Sequence, residues 1–94
     1  MKYMEIILAQ LSEGYWIYSV IVNMLPGVSN IPKNLVESNE NENVICTMYV
    51  LCYLDKFFAD KYEEWILIEK KAIKWLRINN VKFAEFKERI LEFL

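Results

Sequence analysis

The stretch Val44–Leu54, VICTMYVLCYL, narrows the choice of fold more than any other part of the chain. Wound as an α-helix, its apolar side chains cover nearly the whole circumference. A helix that is apolar all round is a buried helix. The expected helix runs from Asn43 to about Ala59 and forms the centre of a bundle. Its length, about 15 residues, falls short of the roughly 18 needed to span a bilayer, and Asp55 and Lys56 follow at once.

A buried central helix needs amphipathic neighbours, and the C-terminal half supplies two. Residues 61–78 have helical periodicity: Trp65, Ile66, Ile68, Ala72, Ile73, Trp75 and Leu76 share one arc, while Glu63, Lys70, Lys74 and Arg77 lie opposite. Asp60 and Glu63 have the spacing of a capping box, which places the helix start there. Asn79-Asn80 breaks the run. From Val81 to the end, Phe83, Phe86, Ile90, Phe93 and Leu94 share a face, with Glu85, Glu88, Arg89 and Glu92 on the other. Glu85 and Arg89 form an i,i+4 pair.

The first 25 residues are less decided. MEIILAQL and YWIYSVIVNML flank Ser12-Glu13-Gly14, which suits two short helices or one long one. Residues 15–24 are rich in β-branched and aromatic side chains, so a strand is a rival there. The balance favours helix, because nothing later in the chain offers a strand to pair with; a strand would satisfy its edges across a dimer. Residues 26–43, PGVSNIPKNLVESNENEN, read as an irregular, acidic, Asn-rich connector with one helical turn after Pro32. The expectation is one small all-α domain over residues 1–94, a compact bundle of four to five short helices, with 15–24 as a strand-like segment in the variant reading.

Apolar residues make up 55 % of the chain and aromatic ones 15 %. A chain this short buries only about 60–65 % of its unfolded surface. The surplus points to self-association or a partner, and Tyr15, Trp16, Ile17, Val20, Ile21 and Met24 are the candidate self-association residues. The rival explanation is that Tyr15–Leu25 is simply a second buried helix.

The missing chemistry is equally informative. There is no histidine, so the commonest general base, the usual nucleophilic triads and most zinc sites are not expected. Two glycines, Gly14 and Gly27, build neither a P-loop nor a dinucleotide-binding turn. No catalytic residue, metal ligand or cofactor is expected. Cys46 and Cys52 would sit about 120° apart on one helix and could not bridge each other. Two free thiols, with no convincing secretion signal, suggest a reducing cytoplasm.

The candidate partner-binding residues are Lys70, Lys71, Lys74 and Arg77. Lys70, Lys74 and Arg77 fall on one helix face, where like charges cost roughly 0.2–0.5 kcal/mol each. Two ordinary explanations exist. Cations near a helix C-terminus meet the negative end of its dipole, or the acidic connector with Glu37, Glu40 and Glu42 folds over them. The functional explanation is an anionic partner. Net charge is −2, with −3 over residues 1–43 and +1 over 44–94, far less basic than nucleic-acid binders usually are. Trp65 and Trp75 point inward rather than among the cations, and Glu85, Glu88 and Glu92 would repel phosphate. Glu69 falls inside the apolar arc, so it should meet Lys87 or a tyrosine hydroxyl, or stand at the rim of a partner-binding groove.

These readings favour a non-enzymatic inhibitor, immunity-type or adaptor protein, homodimeric, that occludes an acidic patch on a larger protein. Two alternatives stay open: a nucleic-acid-binding regulator using the basic strip, and a structural or membrane-surface subunit using Tyr15–Leu25. A membrane partner is the least favoured.

Overall fold

In the computed structural model, which describes residues 2–32 and 41–94, the central helix is α3, Glu42–Phe57. It is preceded by α1 (Lys2–Ala9) and α2 (Tyr18–Met24) and followed by α4 (Tyr62–Ile78) and α5 (Phe83–Leu91). Short 3-10 turns occupy Pro26–Asn30 and Ala59–Lys61. The architecture is all-α; no strand occurs among the described residues. The helical turn expected after Pro32 lies outside them.

Every residue of α3 from Val44 to Cys52 is buried, and so is Leu54. The Asn41 side chain starts the helix by accepting a hydrogen bond from the Asn43 N–H at 2.8 Å. α2, α4 and α5 pack around α3. Burial of each large apolar side chain stabilises by about 1.5–3 kcal/mol, and α3 contributes more buried apolar side chains than any other element among the described residues.

The N-terminal part attaches to α3 through polar side chains. Residues 15–17 carry the chain from α1 into α2 outside any regular element, with Ile17 extended. In an extended chain alternate N–H groups point the same way. The Trp16 N–H donates to Thr47 Oγ1 at 3.1 Å and the Tyr18 N–H to Asn43 Oδ1 at 2.9 Å. Asn43 and Thr47 are one helical turn apart on α3. They satisfy the backbone that a neighbouring strand would otherwise have to satisfy, which removes the reason for an intermolecular sheet. The Trp16 indole N–H donates in turn to the Ile6 carbonyl at 2.8 Å, in the last turn of α1.

α4 ends in a Schellman motif. Asn80 adopts φ 63°, the left-handed region that asparagine tolerates better than most residues. The Val81 N–H donates to the Leu76 carbonyl at 2.9 Å and the Asn80 N–H to the Arg77 carbonyl at 3.0 Å. Val81 and Leu76 are both buried. This is the physical content of the Asn79-Asn80 break.

Several expectations need correction. The Asp60–Glu63 capping box does not form: α4 has Lys61 at its N-cap with no side-chain cap. The α3–α4 corner is held instead by the Trp65 indole, which donates to the Phe58 carbonyl at 2.8 Å. α5 ends at Leu91, before its last aromatic, and leaves Phe93 exposed. Arg89 lies over the Phe86 ring, 5.7 Å from its centroid, rather than in an ion pair with Glu85. The apolar surplus goes mostly inward; Leu8, Leu67 and Ile78 stand furthest out, at 78, 73 and 70 % exposure. No helix among the described residues is long and apolar enough to cross a membrane.

Candidate functional site: the outer face of α4

α4 is amphipathic, and its inner side is fixed by Trp65, Ala72 and Leu76, all fully buried. Ile66, Ile68, Ile73 and Trp75 flank them and are half-buried. This arc is the one the periodicity predicts. Along the outer side the charge follows the helix dipole, with Glu63 and Glu64 in the first turn and the bases toward the C-terminus.

Lys70, Lys71, Lys74 and Arg77 are all exposed. None has an ion-pair partner among the described residues. Glu42 opens α3; the other acids expected to cover the strip, Glu37 and Glu40, lie outside the described residues. Two aliphatics bracket the cations: Leu67 and Ile78. They lie within about 20° of each other around α4 and roughly 16 Å apart along it. All six side chains fit an arc of about 120°. Leu67 and Ile78 fall on the charged side of the helical wheel as well, so the periodicity itself carries the signal of a mixed surface.

One flank of this face is braced by the loop after α1. The Gln10 amide donates to the Gly14 and Ile68 carbonyls at 2.9 and 3.0 Å. Gly14 has φ +114°, and a Cβ there would sit 2.4 Å from the Lys71 carbonyl oxygen. Only glycine allows this approach. Next to it the Tyr15 ring stacks on Trp75, centroids 4.5 Å apart. Trp75 is thus occupied by an intramolecular stack, and Trp65 is fully buried.

The other flank opens into a cleft of about 470 Å³ between α4 and α5. Its apolar surface comes from Ile73, Val81 and Phe83, and its charged edge from Glu69, Arg77, Lys82 and Lys87. Glu69 is partnered, as its place in the apolar arc requires: the Tyr62 hydroxyl donates to its Oε1 at 2.6 Å. That bond, first among the causes, raises the Tyr62 phenol above its ordinary value. Lys87 pairs with Asp55 of α3 at 3.6 Å, so Glu69 and Lys87 share the cleft with separate partners.

The candidate self-association residues do not form one surface. Trp16 and Ile21 are fully buried in this chain's own core. Tyr15, Ile17 and Met24 are half-buried, and only Val20 is exposed. Trp16 and Ile21 therefore leave that list, because no second copy can reach them. Cys46 and Cys52 are free and buried, and burial pushes each thiol up to about 12. They stay protonated at neutral pH and are poor nucleophiles. No group of three or more Cys, Asp or Glu among the described residues is placed to hold a metal ion.

Fold and surface together define an all-α bundle with one mixed basic and aliphatic helix face. No family model matches the chain, and neither the curated proteins nor the solved structures offer a match to it.

Proposed function

We propose that this chain is a non-enzymatic binding protein, of the inhibitor, immunity or adaptor kind, that docks the outer face of α4 on an acidic patch of a larger protein. One observation carries the reading: four exposed cations without ion-pair partners among the described residues, bracketed by two exposed aliphatics on the same helix face. Cations draw an acidic surface in and set its register, while the desolvated aliphatics supply affinity. Nucleic acid fits less well. The tryptophans are unavailable for base stacking, and Glu85 and Glu88 on α5 and Glu92 just after it stand exposed. A cytoplasmic location belongs to the reading and is supported by the two unbridged thiols.

The test is capture from host lysate, with and without nuclease, using the chain and a Lys70→Glu/Lys74→Glu bait of unchanged circular dichroism. A protein retained after nuclease treatment and lost by the variant supports the reading. Retention that requires nucleic acid replaces it with a regulator. Equal retention by both baits returns the cations to a dipole-stabilised, solvated face.

A further inference from the structure

The cleft beside Arg77 has a lining that discriminates between classes of ligand. Arg77 and Lys82 are exposed at its edge, and neither has an ion-pair partner among the described residues. Lys87 is already engaged by Asp55, which leaves Arg77 and Lys82 as the open cations. The first turn of α5 starts here, with Lys82 offering no side-chain cap, so its amide end adds to the positive field. Between the charges, Ile73, Val81 and Phe83 provide an apolar floor. Glu69 lines the same cleft about two turns before Arg77 on α4, with Oε1 bonded to Tyr62.

That mixture argues against two occupants and for a third. A fatty-acid tail would lay hydrocarbon against the Glu69 carboxylate, whose one bond to Tyr62 leaves its second oxygen to be desolvated without a donor. A phosphate-rich polymer would bring several like charges to the same carboxylate and offer it no N–H donor in return. A peptide offers all three complements: a carboxylate for the cations, an apolar side chain for the floor and a backbone N–H for Glu69. The volume of about 470 Å³ accommodates one large side chain and its neighbours.

We propose that this cleft seats a short acidic stretch of the partner protein, an apolar side chain beside a carboxylate, with Arg77 and Lys82 meeting the carboxylate and Glu69 accepting a peptide N–H. This rests on the reading of α4 as a protein-docking face and extends it: the strip orients the partner, and the cleft recognises its sequence.

The test is an amide-shift titration of the full chain with the blocked peptide acetyl-Asp-Leu-Asp-Phe-amide, its Asn-for-Asp analogue, and octanoate. The acidic peptide is expected to shift Ile73 and residues 81–87 saturably, with a dissociation constant of about 1 mM. The neutral analogue should bind about five-fold more weakly or worse. Ala84→Trp, which fills the cleft from an exposed position, should abolish the shifts, and Lys82→Gln should weaken them without changing the fold. Equal binding of the neutral peptide, shifts confined to other surfaces, or no saturation overturns the proposal. Octanoate filling the cleft where the peptide does not would make it a site for a small anionic amphiphile and likewise overturn it. Lys70→Glu/Lys74→Glu leaves the cleft intact and should keep the titration. Peptide binding without partner capture therefore sinks only the docking reading, and capture without peptide binding sinks only the cleft.

Discussion

α3 and α4 are nearly the same length, 16 and 17 residues, and they treat their side chains in opposite ways. α3 has no outer face along Val44–Cys52; neighbours surround it and even its one polar residue there, Thr47, is buried and bonded. α4 buries a single arc and leaves four cations and two aliphatics in solvent. Buried contacts hold the fold and tolerate little change in volume. An exposed face is nearly free of that constraint, so its composition is open to other demands. The contrast separates what keeps this chain folded from what it can offer a partner.

The contrast is most easily broken on α3. Leu54→Ala should cost about 2–5 kcal/mol, a large share of the stability of a small domain, read as a lower urea midpoint. A midpoint unchanged within error would mean that α3 is not the central support. The two thiols give the next largest effect. Folded, they hold their protons well above pH 9.0, up to about 12. The stability they contribute is complete below the pH at which unfolded thiols ionise and is lost as pH rises toward the folded values. Stability should fall by about 2 kcal/mol per pH unit above pH 9. Burial raises Tyr3 and Tyr49 in the same direction, which steepens the loss at higher pH. The double variant Cys46→Ala/Cys52→Ala should flatten the slope between pH 9 and 10; an unchanged slope there would assign it to other groups.

Thr47→Val keeps the shape of α3 and removes the acceptor of the buried Trp16 N–H. The expected loss is about 1–3 kcal/mol in urea unfolding. A loss near zero would show that the segment at Trp16 finds another partner. The smallest effect sharpens the contrast from the other side. Leu67→Ala on α4 should change stability by no more than about 0.5 kcal/mol, because its side chain is already in solvent. The same substitution should weaken partner capture, so a stability loss comparable to that of Leu54→Ala would place Leu67 in the support of the fold instead.

What the sequence made legible follows the same division. Periodicity located α3, α4 and α5, because a helix's own wheel determines which side can be buried. It also found the break at Asn79-Asn80 and the need of Glu69 for a hydroxyl or amine. It did not find the bracing of the α4 face by Gly14, since a close approach between residues 14 and 71 leaves no local pattern. It mistook Asp60-x-x-Glu63 for a cap because the chain enters α4 through a 3-10 turn, and Trp65 holds that corner from inside. The strand-like reading of residues 15–24 fails over Tyr18–Met24, which is helical, and meets extended backbone only at Ile17. It missed that helix side chains rather than a sheet edge could satisfy it. The charged strip is legible in the sequence; that its aliphatic ends, Leu67 and Ile78, stand exposed is not, because the wheel gives only a residue's side and a neighbouring element can still cover it.

The two backbone bonds from residues 16 and 18 to Thr47 and Asn43 also bear on assembly. They join positions 31 and 25 residues apart, and the bonds from Tyr3 to Glu64 and Gln10 to Ile68 reach further, 61 and 58 residues. Contacts of such separation carry a loop-closure cost that the local contacts within a helix do not. α3 receives two of them, on its turn from Asn43 to Thr47. α1, Trp16 and Tyr18 thus depend on surfaces that lie 25 to 61 residues later in the chain. A translating ribosome would release α1 and Trp16 long before the surface that receives them exists.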